Sequence, residues 1–100
     1  MVTRKQVKED LKEIRYYYSK QKQFESAKCV VESAVVEKVN RYNQAIKNAP
    51  ARLYDLYISV YTQNNTLYAM TYEWDFCYEY IKDINNQLCD YLVKFFNEVQ

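Results

Sequence analysis

This chain lacks two residue types on which catalysis often depends. Its 100 residues include no His and no Gly. Without His there is no ready base near neutral pH, and without Gly the phosphate-cradling loop motifs cannot form. Glu73 and Asp75 are paired only by proximity in sequence, and an exposed helix end accounts for them. The sequence therefore predicts a binding protein that is not an enzyme and takes no cofactor.

The three cysteines do not suggest a metal site or a disulfide framework. Cys29, Cys77 and Cys89 form no CxxC pair, and zinc sites are built from clustered thiols and His. The opening MVTRKQVKED is charged from the start, unlike a signal peptide, and no apolar run approaches the ~20 residues of a membrane helix. We expect reduced thiols, a cytoplasmic location, no bound metal and no membrane partner.

Charge divides the chain into two unlike halves. Residues 1–50 hold eleven Lys and Arg against six Asp and Glu, a net charge of +5. Residues 51–100 hold three against seven, a net charge of −4. Because phosphate contacts supply much of DNA affinity, the basic half is the better source of backbone contacts.

Two sets of residues are candidates for binding. On the outward face near the start of the last predicted helix, Asn can bind adenine and Lys can reach guanine or phosphate. The candidate DNA-binding residues are Tyr78, Lys82, Asn85 and Asn86, with Lys5, Lys8, Lys12 and Arg15 from the basic half. Acidic and aromatic side chains favour a protein partner instead. This alternative interface comprises Glu79, Asp83, Tyr16 and Tyr17.

The elements that must position these residues are predicted to be helices, since a chain without Gly and with one Pro has few tools for hairpins. Thr3 caps the first helix, whose apolar stripe is Val7, Leu11, Ile14 and Tyr18. A second stripe on another face comprises Phe24, Ala27, Val31, Ala34, Val35, Lys38, Tyr42 and Ala45. The change of face indicates either two helices with a break near Ser19–Ser26, or one long helix that favours a homodimer.

Asn48-Ala49-Pro50 ends this N-terminal segment, residues 1–49, because the residue before proline avoids the helical conformation. Residues 50–100 then form the second unit, and the two together are expected to make one compact domain. The first helix of this second unit runs from Pro50 to about Thr62, with Leu53, Leu56, Tyr57 and Val60 in the core. Asparagines at 64 and 65 suit the left-handed end of that helix, and Asn65 or Thr66 caps the next.

The last two predicted helices form a helix-turn-helix outline. Leu67 to Trp74 is a short helix, and Asp75-Phe76-Cys77 is a turn in which Asp75 accepts the left-handed conformation. A long helix follows from Tyr78 to about Asn97. Its apolar stripe is Ile81, Ile84, Leu88, Tyr91 or Leu92, and Phe95. The predicted fold is thus all-α, with an N-terminal hairpin or long helix followed by a three-helix unit.

The stretch RLYDLYISVYTQNNTLYAMTYEWDFCYEYIKDINNQLCDYL resembles the region-four helix-turn-helix of bacterial sigma factors. It is more similar to small phage and prophage proteins of low-GC Gram-positive bacteria, the ArpU-like regulators among them. Trp74 stands where that pattern ends its first helix, and Ile81 lies four residues after the cap position, Cys77. Asp75 occupies a usual Gly position, and Cys77 replaces a Ser or Thr.

The resemblance implies a phage-type transcription regulator that binds duplex DNA or acts with host RNA polymerase. Two other functions remain open at this point. One is a protein-binding inhibitor or adaptor with an acidic, Tyr-rich surface. The other is a phage structural or packaging protein that oligomerises through its N-terminal helices.

Overall fold

The predicted all-α class is confirmed by a computed structural model, which describes residues 1–26 and 33–98 of the chain. The helices are α1 (Arg4–Ser26), α2 (Ser33–Ile46), α3 (Ala51–Leu56), α4 (Leu67–Trp74) and α5 (Tyr78–Glu98). A π-helical segment, Tyr57–Thr62, continues directly from α3. The described residues contain no β-strand.

The first helix begins as its sequence indicates. The hydroxyl oxygen of Thr3 accepts a hydrogen bond from the backbone N–H of Gln6 at 3.2 Å, which satisfies one of the free donors of the first turn. Val7, Leu11 and Ile14 are buried along one face. The helix continues to Ser26, through the segment near which we expected a break. That segment contains no Gly, Pro, Asn or Asp, so nothing in it stops a helix.

α1 and α2 are separate helices that lie side by side. In one straight helix, residues 13 and 38 would be about 37 Å apart. Instead, the Lys38 ammonium lies 2.7 Å from the Glu13 carboxylate. The core face of α2 differs from the predicted stripe, because Ala34 is exposed while Val39 and Ile46 are buried beside Tyr42 and Ala45. The other predicted stripe positions, Phe24, Ala27 and Val31, lie outside the described side chains.

α3 begins directly after Pro50, as predicted, and its expected core residues are all buried: Leu53, Leu56, Tyr57 and Val60. The π-helical segment was not predicted. Its wider turns are seen in the hydrogen bond from the Gln63 N–H to the carbonyl of Ile58, at 2.9 Å and five residues away. Tyr61 also becomes buried in this segment.

Two non-glycine residues make the sharp turns that lead into α4 and α5. Asn64 (φ 60°) and Asp75 (φ 56°) adopt left-handed conformations, as the sequence predicts for the side chains that accept them at modest cost. Thr66 caps α4, with its hydroxyl accepting the Ala69 N–H at 3.0 Å. In α5 the predicted stripe is buried at Ile81, Ile84, Leu88 and Leu92.

Buried side chains from every helix form one hydrophobic cluster. In it α1 packs against the π-helical segment, α2 and α5, and α5 also packs against α2, α3 and α4. Three tyrosines, Tyr42, Tyr57 and Tyr61, supply much of its volume. Burial raises the pKa of each of these phenols, and that of Tyr61 reaches about 12. None of the described helices is long and apolar enough to cross a lipid bilayer.

Candidate nucleic-acid interface

A row of lysines follows one exposed side of α1. Lys5, Lys8 and Lys12 are spaced by three and four residues, so they share a side of the helix. Together with Arg4 and Glu9 they line one shallow surface depression. Within the part of the chain that the structure describes, none of the three lysines forms an ion pair. They are therefore available to an outside anion.

Arg15 continues this row but is already occupied. One guanidinium nitrogen, Nη2, donates hydrogen bonds to the backbone carbonyls of Asn64 and Asn65, both at 3.2 Å. These carbonyls lie where the π-helical segment ends and α4 begins. The side chain is half-buried, and its Nε has no hydrogen-bond partner among the described residues. Arg15, a predicted DNA contact, thus ties α1 to the start of α4.

α1 and α5 run antiparallel, and this arrangement determines which part of α5 lies beside the lysines of α1. Arg4, near the start of α1, forms a two-pronged ion pair with Asp90, late in α5, and the closest approach is 2.6 Å. Moving one turn along each helix from this pair places Lys8 at the level of Asn86. The positive charge of Lys8 also acts on the thiol of Cys89, partly opposing the rise in pKa that burial causes. The lysine row therefore lies beside α5.

The first half of α5 presents two neighbouring columns of side chains. Tyr78, Lys82 and Asn86 are spaced by four residues and form one column, while Glu79 and Asp83 form the next. The Lys82 ammonium lies 5.4 Å from the centre of the Tyr78 ring, within range of a cation–π contact. The basic and acidic candidate residues therefore lie about 60° to 100° apart around the helix, in adjoining columns.

Asn85, a further predicted DNA contact, faces inward. Its side-chain oxygen accepts a hydrogen bond from the hydroxyl of Tyr61 at 2.6 Å. That bond satisfies a buried phenol on the π-helical segment and joins it to α5. The side chain is half-buried, and we do not include it in the candidate surface.

Three exposed tyrosines form a chain of ring contacts that begins at Tyr78, the ring beside Lys82, and the sequence analysis did not select two of them. Tyr68 and Tyr72 of α4 are 61% and 73% exposed, and their ring centres are 5.6 Å apart. The ring of Tyr78 lies 6.1 Å from that of Tyr68. The four-residue spacing of Tyr68 and Tyr72, opposite the buried Met70, was the signal that could have found them.

We call the combined region the basic–aromatic surface. It comprises Lys5, Lys8, Lys12, Tyr68, Tyr72, Tyr78, Lys82 and Asn86. Arg15, which follows Lys12 on α1 and contacts the residues before α4, links its two parts. The turn between α4 and α5 is held by Arg52 of α3. The Arg52 guanidinium lies 4.9 Å from the Trp74 ring centre and 5.0 Å from that of Phe76.

The residues of the alternative interface are distributed over two helices. Glu79 and Asp83 are exposed on α5, and Asp83 accepts a hydrogen bond from the Gln87 amide at 3.0 Å. Tyr16 is exposed on α1, with the Lys20 ammonium 6.0 Å from its ring centre. Tyr17 is half-buried and packs edge-on against Tyr18. Of the two tyrosines, Tyr16 is the more accessible to a partner.

The opposite side of α1 holds a charge network of a different kind. The Lys38 ammonium lies 3.0 Å from Asp10 and 2.7 Å from Glu13, and the Tyr42 hydroxyl donates to Asp10 at 2.8 Å. The hydrogen bond that Lys38 donates to Glu13 is the main cause that raises the pKa of Lys38. Burial, and then the hydrogen bond to Asp10, raises the pKa of Tyr42. The Lys38 cation is therefore fully paired within the molecule, by two carboxylates.

Comparisons with protein-family models, with curated proteins and with solved structures gave no match to this chain.

Proposed function

We propose that this chain is a phage-type transcription regulator that binds duplex DNA through Lys5, Lys8, Lys12, Lys82 and Asn86 of the basic–aromatic surface. The observation that carries the proposal is the column of Tyr78, Lys82 and Asn86 at the start of α5, beside the lysines of α1, in which Tyr78 and Lys82 are exposed and Asn86 is half-buried. In the proposed complex the first half of α5 enters the major groove, where Lys82 and Asn86 contact base edges. Lys5, Lys8 and Lys12 contact the phosphate backbone.

The resemblance to sigma-like phage regulators supplies the biological setting of this proposal. A short helix that ends at Trp74, a turn at Asp75 and a long helix with Ile81 on its buried face agree with that pattern. The setting implies a promoter region as the DNA target and host RNA polymerase as a neighbouring partner.

The number of lysines sets the expected strength and salt dependence of binding. If Lys5, Lys8, Lys12 and Lys82 each neutralise one phosphate, log K should fall with log salt with a slope of about −3 to −4. A surface with so few cations is expected to bind non-specific duplex at about 10⁻⁴ to 10⁻⁶ M at physiological salt. Binding should therefore be measured first at low salt.

The test uses two triple variants that change the net charge equally. Lys5→Gln, Lys8→Gln and Lys12→Gln remove the lysine row, whereas Arg41→Gln, Lys47→Gln and Lys94→Gln remove three exposed cations outside the basic–aromatic surface. Fluorescence anisotropy with a labelled duplex should show binding at least about tenfold weaker for the first variant and little changed for the second. Equal weakening of both, or no duplex binding by the unmodified protein at low salt, would contradict the proposal.

A protein partner is the second candidate function, and the acidic column of α5 favours it. Glu79 and Asp83 are exposed, and neither forms an ion pair within residues 1–26 and 33–98. Such a column could bind a basic site on RNA polymerase and block its access to nucleic acid. The double change Glu79→Lys and Asp83→Lys separates the two functions. It should strengthen duplex binding if α5 enters DNA, and weaken binding to purified RNA polymerase if the acidic column is the interface.

A further inference from the structure

Three exposed tyrosines of α4 and α5 lie together. Tyr68, Tyr72 and Tyr78 are 61%, 73% and 42% exposed, and they differ from the similarly exposed Tyr16, Tyr54 and Tyr80 in that their rings contact one another. All three belong to one patch, since Tyr68 contacts both of the others. A patch of exposed aromatic rings is a common mark of a binding site.

The three rings are held in position before any partner arrives. The hydroxyls of Tyr68 and Tyr72 lie 3.1 Å apart and form a hydrogen bond, with the two rings nearly edge-on. Tyr78 packs at a tilt against Tyr68 and is itself covered on one side by the Lys82 ammonium. Because these contacts already restrict the side chains, a ligand loses less of its binding free energy to ordering them.

One cation lies directly against the rings, since the Lys82 ammonium is 5.4 Å from the Tyr78 ring centre. Of the acids in the same part of the chain, Glu73 is engaged by the Asn65 amide at 3.1 Å, whereas Asp75, Glu79 and Asp83 are exposed. A ligand would therefore gain its affinity from ring stacking and from the Lys82 contact, and not from a net positive charge around the patch. An aromatic patch with a cation at its edge has the chemistry of single-strand binding sites, in which bases stack on rings and cations bind the backbone.

We propose that Tyr68, Tyr72 and Tyr78 are a stacking platform for unpaired bases of single-stranded nucleic acid, with Lys82 binding the adjoining phosphate. Bases within a duplex stack on each other and do not offer their faces to a protein side chain. The platform therefore adds a single-strand activity to the proposed duplex binding. It shares Lys82 with the duplex surface but does not depend on duplex binding.

The size of the effect follows from stacking energies. Removing one stacked ring weakens single-strand binding by about 5- to 150-fold per base in known sites. Removing both Tyr68 and Tyr72 should therefore weaken binding by about 30-fold or more. Because both side chains point into solvent, their removal should leave the fold unchanged.

The experiment measures anisotropy of a labelled 12-nucleotide oligothymidine, and of a duplex of equal length, with three double variants. Tyr68→Ala with Tyr72→Ala should lose single-strand binding by about 30-fold while duplex binding changes less than about threefold. Tyr68→Phe with Tyr72→Phe keeps the rings and should bind single strands within about threefold of the unmodified protein. Tyr16→Ala with Tyr54→Ala removes two tyrosines exposed elsewhere, at 61% and 40%, and should bind normally.

The outcomes separate this inference from the proposed duplex function. Duplex binding without single-strand binding would overturn the platform alone, and so would single-strand binding that the alanine pair does not weaken. Equal loss in the phenylalanine pair would also overturn it, because the hydroxyls and not the rings would then be responsible. If the alanine pair instead weakens binding to purified RNA polymerase and not to oligothymidine, the patch binds protein and the proposal is wrong.

Discussion

The two sides of α1 carry charge in opposite ways. Toward α2, Asp10 and Glu13 enclose the ammonium of Lys38, and the Tyr42 hydroxyl completes the network. Toward α5, Lys8 and Lys12 point into solvent without a carboxylate partner among the described residues. We call these the α2 side and the α5 side.

This difference separates charges that hold the fold from charges that are free to bind. Placing ions between packed helices is costly unless they are paired, and on the α2 side the Lys38 cation is paired with two carboxylates. Exposed cations carry no such cost and can attract phosphate. The net charge of the first half, +5, does not distinguish the two kinds. The following changes test this contrast, from the largest expected effect to the smallest.

The strongest test replaces the central cation of the α2 side. Lys38→Ala should lower the free energy of unfolding by about 3 kcal/mol, because it leaves the Asp10 carboxylate, 14% exposed, without its cation. Urea denaturation followed by circular dichroism measures the change. Lys12→Ala, on the α5 side, is the matched control and should change stability by less than about 0.5 kcal/mol. Similar losses in both variants would remove the distinction.

The Tyr42→Phe variant tests the α2 side through pH. The folded chain raises the pKa of Tyr42 above that of the unfolded chain, so the unfolded state loses its proton first as pH rises above about 10. Above that pH the phenol's contribution to the free energy of unfolding decreases by about 1.4 kcal/mol for each pH unit. The variant lacks this loss, although it gives up about 1 kcal/mol of hydrogen bonding to Asp10 at neutral pH.

We therefore expect the two stability curves to converge or cross between pH 10 and 11.5, as measured by urea denaturation at fixed ionic strength. Lys38, whose pKa is also raised, contributes a similar alkaline loss in both proteins and cancels in the comparison. Parallel curves would show that the Tyr42 phenol does not resist ionisation in the folded chain.

Arg4, which is paired with Asp90, and Arg15 are the exceptions on the α5 side, and replacing Arg15 sharpens the contrast. Arg15→Ala should destabilise the fold by about 2 kcal/mol, because the carbonyls of Asn64 and Asn65 lose a charged donor. Affinity for duplex DNA, measured at a temperature where the variant is fully folded, should change less than for Lys12→Ala. If Arg15→Ala weakens duplex binding without affecting stability, the side chain is a phosphate contact after all.

The smallest effect is expected at Asp75, in the turn that presents the aromatic patch. Asp75→Gly should stabilise the fold by about 0.5 kcal/mol, since glycine accepts the left-handed conformation without a steric penalty. Asp75→Ala should destabilise it by about 1 kcal/mol for the opposite reason. Thermal unfolding measures both. Equal stabilities would show that the conformation at this position is not strained for a residue with a Cβ atom.

The parts of the fold that depend on near neighbours in sequence were predictable. The caps at Thr3 and Thr66, the left-handed residues Asn64 and Asp75, and the helix start after Pro50 each follow from the chemistry of a few adjacent residues. The apolar faces of α1, α3 and α5 followed from their periodicity. The core register of α2 did not, because its predicted stripe was continued from Phe24, which belongs to α1 and not to α2.

The roles of particular side chains in the candidate site required the folded structure. Arg15 finds its partners about fifty residues away, and Asn85 is turned inward by a phenol on another helix. The aromatic patch forms only because the turn at Asp75 brings Tyr68 against Tyr78. Composition and spacing carry no information on such distant pairings. The predicted set of binding residues therefore combined side chains that hold the fold together with side chains that are free to bind a partner.

The π-helical segment at Tyr57–Thr62 has a consequence for how this chain can change over evolutionary time. A turn that spans one residue more than an α-helical turn is what a single inserted residue produces inside an existing helix. Loss of one residue from the segment would restore the narrower turn, and because the extra residue is taken up within that turn, the residues after it would keep their orientation relative to α3. The segment is therefore a place where the chain can gain or lose one residue while α4 and α5 go on presenting the same side chains.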